Sequence, residues 1–300
     1  MTGGDQPDAV RSTATVLWHA ITDATNAPPE KLRPLGRSCT GRIDGGVAWQ
    51  DFIGPGHVEA TVGQHRDAVG APDLRLAAAL LVSEVLRSVV WLNVACLTLV
   101  DRVFDIDLAR VRVEATGGRV LLHVDPSRVA VLPTDLLAGS APVLRVADFD
   151  ALAERCHQSI EGVRDELVTA VSGLGRVPRR LIDCDVAMTW HAVLRWAARS
   201  LPGHDLGDLS QHQWHARPGL WELTRQLKIA TPAGDTRDFT VRRACCLEYR
   251  LQGPTWRTYC GTCPLVPDEA LTRHREALDR GQNPPPLTDA DRARPVVRND

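Results

Sequence analysis

A chain of 300 residues, 44% apolar and 24% charged, has the composition of an ordinary globular protein and is long enough to bury a core without disulfide staples. Its formal charge of −2 argues against a nucleic-acid binder, because a polyanion partner demands a basic surface.

Residues 1–12 hold no basic segment followed by an apolar run, so they predict a disordered lead and not a signal peptide. From Ser12 to Thr25 the positions of Val16, Leu17, Ala20 and Ile21 predict a short amphipathic helix behind a Ser/Thr cap. Asp44-Gly45-Gly46 is turn chemistry. A long helix is predicted from about Asp73 to Phe104, with Asp73 as N-cap. Glu84 and Arg87 interrupt its apolar run, and the charge-free remainder from Ser88 to Val100 is too short to cross a bilayer. That segment reads as a buried helix with no transmembrane role, and the protein as cytoplasmic, with peripheral contact at the inner membrane face left open.

Alternation on either side of Gly117-Gly118 predicts a β-hairpin, with a third strand at Arg128–Leu132. Helices are predicted at about Val146–Val171, Leu181–Arg199 and Leu206–Leu227, the last interrupted by Pro218. A strand-like RDFTVRR then runs into the C-terminal cysteines, and GQNPPPLTDADRARPVVRND reads as a tail. The fold class is α+β and helix-dominated. It divides into a disordered lead at 1–12, a main region at 13–235, a small cysteine-bearing module at 236–280 and a disordered tail at 281–300.

Four of the 8 cysteines, Cys245, Cys246, Cys260 and Cys263, fall in RRACCLEYRLQGPTWRTYCGTCPL, a C-C-x13-C-x2-C pattern. A cytoplasmic chain keeps thiols reduced, so clustered cysteines point to metal or redox work. The C-x2-C half aims two sulfurs at one point across a tight turn, where Gly261 has the freedom to go left-handed and let backbone amides approach the sulfurs. Adjacent Cys245 and Cys246 diverge along the backbone. That suits a broad iron–sulfur cluster better than one small tetrahedral zinc, whose paired ligands are usually spaced by two to four residues. Zinc, a strained vicinal disulfide and unliganded thiols remain alternatives at this level. Arg242, Arg243, Arg250 and Arg257 make the neighbourhood basic, either as a docking face for an acidic partner or as a solvated arginine face.

Other tempting residues have plainer readings. His212 and His215 flank Trp214 with no further ligand at a recognisable offset. His191 lies among Met188, Trp190 and Trp196 at core-packing spacing. Cys39, Cys96, Cys156 and Cys184 are isolated, and none of them carries a catalytic expectation.

The cysteine stretch resembles the C-terminal signature of the FhuF-like ferric-siderophore reductases. Cys245, Cys246, Tyr249, Arg250, Tyr259, Cys260, Gly261, Thr262, Cys263, Pro264 and Leu265 match that pattern, while the central spacer has thirteen residues where the family has ten. The resemblance implies a [2Fe-2S] cluster on the four cysteines, with Tyr249, Arg250, Tyr259 and Gly261 as docking or supporting residues. It also implies an aerobactin-synthetase-like region upstream and one-electron reduction of ferric hydroxamate siderophores, fed by a ferredoxin or a flavin-dependent donor. Two other functions compete with it. One is a non-catalytic helical binding or scaffold protein with a structural zinc site on the four cysteines. The other is an iron or redox sensor, although near-neutral charge counts against a DNA-binding regulator.

Overall fold

A computed structural model of the chain describes residues 46–125, 128–140, 142–200, 218–251 and 259–292. The predicted helix at Ser12–Thr25, the lead, Cys39, His212, His215 and Arg257 lie outside the described residues.

The first elements are a short strand β1 (Val47–Ala48), one helical turn α1 (Trp49–Phe52) and helix α2 (Pro55–Val69). Pro55 opens α2, where a missing N–H costs nothing, and Gly70 at φ 69° closes it. Helix α3 (Leu74–Val100) is capped as its sequence predicts: the Asp73 side chain accepts from the Leu76 N–H at 2.7 Å. Apolar nearly all round, α3 has no face to offer water and runs through the main core, packed by α2 and by the later helices α4 (Phe149–Ala170) and α5 (Arg179–Ser200). It is the one helix among the described residues long and apolar enough to cross a membrane, and 78% of its most apolar stretch is buried inside the fold.

The helix was expected to reach Phe104 but stops at Val100. Asp101 turns left-handed at φ 49°, and the next residues become strand β2 (Arg102–Phe104). The side chain of Asn93, fully buried on α3, accepts from the Phe104 N–H at 2.9 Å, so the strand edge is satisfied from within the helix.

Strands β3 (Arg112–Thr116) and β4 (Arg119–His123) form the predicted hairpin. Gly117 and Gly118 both adopt positive φ, 59° and 78°, as a two-residue turn that follows strand twist requires. The predicted third strand exists as β5 (Val129–Val131), but it pairs with β2, and then in parallel with β6 (Leu144–Arg145), and not with the hairpin. β1 takes the place beside β3.

Helices α4 and α5 lie within a few residues of their predicted bounds. The expected helix Leu206–Leu227 does not survive at its described end. After one turn, α6 (Pro218–Trp221), the chain becomes strand β7 (Thr224–Ala230), paired along its whole length with β8 (Thr236–Arg242). Leu220, Leu223 and Leu227 mimic helical spacing, yet Leu227 and Ile229 point inward while Lys228 and Ala230 are exposed, which is the two-residue period of a strand.

A second core forms here from Leu227, Ile229, Phe239, Val241, Tyr259, Cys263, Val266, Leu271 and Leu287. Helix α7 (Asp268–Asp279) covers β7. The hairpin of this core begins at Thr224, so the expected boundary at 236 falls inside that hairpin. The core also reaches into the expected tail. The Tyr259 N–H donates to the Leu287 carbonyl at 2.8 Å, Leu287 is buried, and Thr288 and Asp291 form a capping box.

Candidate metal centre

Two turns bring the four clustered cysteines together. At the end of β8 the Arg243 N–H donates to the Leu223 carbonyl at 2.8 Å, holding the chain against β7 as it enters Cys245 and Cys246. Leu247 then adopts φ 63°, ψ 4°, a left-handed conformation that costs a non-glycine residue about 1–2 kcal/mol. The bend aims the Leu247 N–H at Cys245 Sγ, 3.4 Å away. Opposite, Cys263 N–H to Cys260 carbonyl at 3.0 Å closes the C-x2-C turn. The Arg242 N–H reaches the Thr262 carbonyl at 3.4 Å and ties that turn to β8.

The Sγ atoms of Cys246 and Cys260 lie 3.8 Å apart. Each thiol's strongest interactions are with two neighbours, in the closed order Cys245, Cys246, Cys260, Cys263 and back to Cys245. Donated S–H groups from Cys246 and Cys263 push Cys245 and Cys260 well below the ordinary thiol range. Cys246 and Cys263 are pushed the other way, because their S–H groups are the donors in those bonds and burial disfavours their thiolates. Backbone N–H groups of Thr262 and Leu265 support Cys260 and Cys263 as Leu247 supports Cys245. Cys246 and Cys263 are buried, while Cys245 and Cys260 are half-buried and open the ring to the surface.

All described cysteines are free, so a disulfide does not account for the cluster. Among the described residues, no group of three or more His, Cys, Asp or Glu side chains is already placed to hold a metal ion. The donor chemistry is nevertheless complete for a thiolate-bound centre: four soft ligands in a ring, amide donors to three of the sulfurs, and a buried cation behind them.

That cation is Arg242. Its residue is 8% exposed, and Nη1 meets Asp185 Oδ1 at 2.7 Å. Burial opposes its charge, but Asp185 and the sulfurs of Cys246, Cys260 and Cys184 outweigh that and hold it firmly protonated. Asp185, on α5 and 2% exposed, also meets Arg87 Nη2 at 3.4 Å, and Arg87 reaches Glu248 Oε1 at 3.1 Å. A chain of alternating charges thus runs from beneath the sulfurs to the half-exposed Arg87 and Glu248.

The structure corrects several expectations. Arg242 is not part of a solvated arginine face. Arg250, singled out by its motif, has a side chain 44% exposed that lies 3.4 Å from Asp73, the cap of α3. Gly261 is not left-handed and has open space where a side chain would stand; Leu247 is the residue with the special backbone. Tyr249 and Tyr259 pack ring to ring, centroids 5.2 Å apart, beside the second core. Burial, then Asp289, pushes the Tyr259 hydroxyl up to about 12, so it stays protonated and donates to Asp289 Oδ1 at 2.7 Å.

Cys184 also belongs to this neighbourhood. It is fully buried on α5, with Sγ 3.4 Å from the Leu223 carbonyl and 3.8 Å from that of Ala244. Cys96 and Cys156 sit in the main core. Nothing local in the sequence marks Asp185 as the partner of Arg242, 57 positions away. The one available signal is an aspartate flanked by buried apolar residues of a helix, which demands a counter-charge. Comparison with known proteins finds no family profile that matches the chain and no curated protein that matches it.

Proposed function

We propose that this chain is a ferric-siderophore reductase of the FhuF-like kind, acting in the cytoplasm through a [2Fe-2S] cluster held by Cys245, Cys246, Cys260 and Cys263. The observation that supports this most is the ring itself. Two separate turns deliver four thiols to one place, with N–H donors to the sulfurs and a buried guanidinium behind them. When bound, the cluster supplies one-electron transfer at a low, adjustable potential.

The chain's own residues do the rest. Leu247, Thr262 and Leu265 temper the sulfur charge with N–H groups, and the second core holds the C-x2-C turn in place. Cys245 and Cys260, the half-buried pair, form the face through which an electron enters and leaves. One electron is taken from a ferredoxin or a flavin-dependent donor, which is left oxidised, and is passed to the Fe(III) of a hydroxamate siderophore. Fe(II) binds hard oxygen donors far more weakly, and the freed hydroxamates take up protons.

The test is the visible spectrum of anaerobically purified protein, with iron and acid-labile sulfide analysis, followed by mixing of the reduced form with a ferric hydroxamate. The expected result is a red-brown protein with about two irons and two sulfides per chain, bleached on reduction and recoloured by the siderophore. A colourless protein with about one zinc per chain overturns the reading and leaves the structural-zinc scaffold in its place. A coloured protein that ferric hydroxamates do not reoxidise overturns the substrate and keeps the electron carrier.

A further inference from the structure

The geometry points to Arg242, held by Asp185, as the buried counter-charge that sets the reduction potential and the metal retention of the thiolate centre. The inference rests on the proposed function only in its potential, not in the counter-charge itself.

Four coordinated thiolates make an anionic centre whatever metal they hold, and reduction makes a cluster more anionic still. A cation fixed nearby in a water-poor setting favours both states, and the reduced state more. Arg242 meets that description. It is buried, it interacts with the sulfurs of Cys246 and Cys260, and its backbone N–H is bonded to the C-x2-C turn. Its carboxylate partner comes from the other core, since Asp185 stands on α5 while Arg242 ends β8. Asp185 is therefore a positioning residue. It aims the guanidinium and offsets part of its charge, while Arg87 in turn takes part of the Asp185 charge.

This electrostatic role predicts effects of opposite sign, which a purely structural role does not. Removing the cation in Arg242→Met weakens the hold on an added electron. Removing the anion in Asp185→Asn, which keeps the shape and a hydrogen-bonding oxygen, strengthens it.

The experiment is a redox titration of purified protein followed by visible absorption, together with the half-time of metal loss to a chelator, on wild type, Arg242→Met, Arg242→Lys and Asp185→Asn. Arg242→Met is expected to lower the affinity for the electron about tenfold, a fall of about 59 mV for a one-electron couple, and to shorten the half-time several-fold. Asp185→Asn is expected to raise the potential and lengthen the half-time, and Arg242→Lys to restore most of the wild-type value. If Arg242→Met does not fold, the sign of the Asp185→Asn shift decides. Shifts of the same sign in both variants, or of less than twofold in either, overturn the inference. Should wild type prove colourless and zinc-bound, the reductase reading falls by itself and no potential is set. The chelator half-times then still decide the counter-charge: opposite signs sustain it, and faster loss in both variants ends it.

Discussion

His191 shows how an apolar helix face can store a pH dependence. Met188, Trp190 and Trp196 suggest core packing from sequence, and the residue is indeed only 8% exposed. Burial, then the charge of Arg195, lowers its pKa from 6.5 to about 4. The folded state therefore refuses a proton that the unfolded chain accepts. The resulting stability is complete above the unfolded value and is lost as pH falls from about 6.5 toward about 4. Between about pH 7 and about pH 5 the loss is expected to be about 2 kcal/mol. Urea unfolding of wild type and His191→Gln at both pH values checks this; equal losses in the two proteins would mean that another group carries the dependence. At this scale the sequence was a fair guide to identity and a poor one to setting. The four cysteines stood out by spacing alone. Arg250 was the arginine its motif singled out, yet Arg242 is the one buried on Asp185 while Arg250 lies at the surface on Asp73, because each environment is assembled from residues far away in the chain.

At the scale of elements, the turn between β3 and β4 separates two glycines that the sequence does not distinguish. Both have positive φ, but a Cβ on Gly117 would meet nothing within 4 Å, whereas one on Gly118 would lie 2.8 Å from Ala68 Cβ and 2.9 Å from His65 Cα. The hairpin is pressed onto α2 at that point, and neither obstacle is the end of a flexible side chain. Gly117→Asn is expected to change stability by less than about 0.5 kcal/mol, since Asn tolerates left-handed geometry. Gly118→Asn is expected to cost about 2 kcal/mol or more through overpacking. Thermal unfolding of the two variants decides, and similar melting temperatures would count against the close approach. Elements with one strong period, such as α3, α4, α5 and this hairpin, were legible. Those decided by partners were not. Arg102–Phe104 continues the apolar run of α3 until a left-handed Asp101 and a pairing with Val129–Val131 claim it for a sheet. Thr224–Ala230 carries leucines at helical spacing until β8 supplies a neighbour.

Across the whole molecule, two cores of unequal size meet at the ring of four cysteines. The larger is built round α3. The smaller has a two-stranded sheet, one helix, the C-x2-C turn and the segment around Leu287. So small a core is marginal without a staple, and thiolate-bound metal is the staple its chemistry offers. Chelation is therefore expected to expose the amides of β7, β8 and α7 to hydrogen exchange while those of α3 stay protected. Simultaneous loss of protection in both cores would show that they open as one unit. The sequence made this centre recognisable but not its support, since the residues that steady it from α3 and α5 carry no motif.

The two ends of the central spacer are held independently. Leu251 is buried in the larger core, and Tyr259 is fixed by Leu287 and Asp289 in the smaller. Two of the clustered cysteines precede that spacer and two follow it. A chain severed between Leu251 and Tyr259 would leave one cysteine pair on each fragment, neither able to build the centre alone. Metal uptake would then report that two polypeptides had met, and the same feature that closes this site within one chain would serve as a readout of encounter between two.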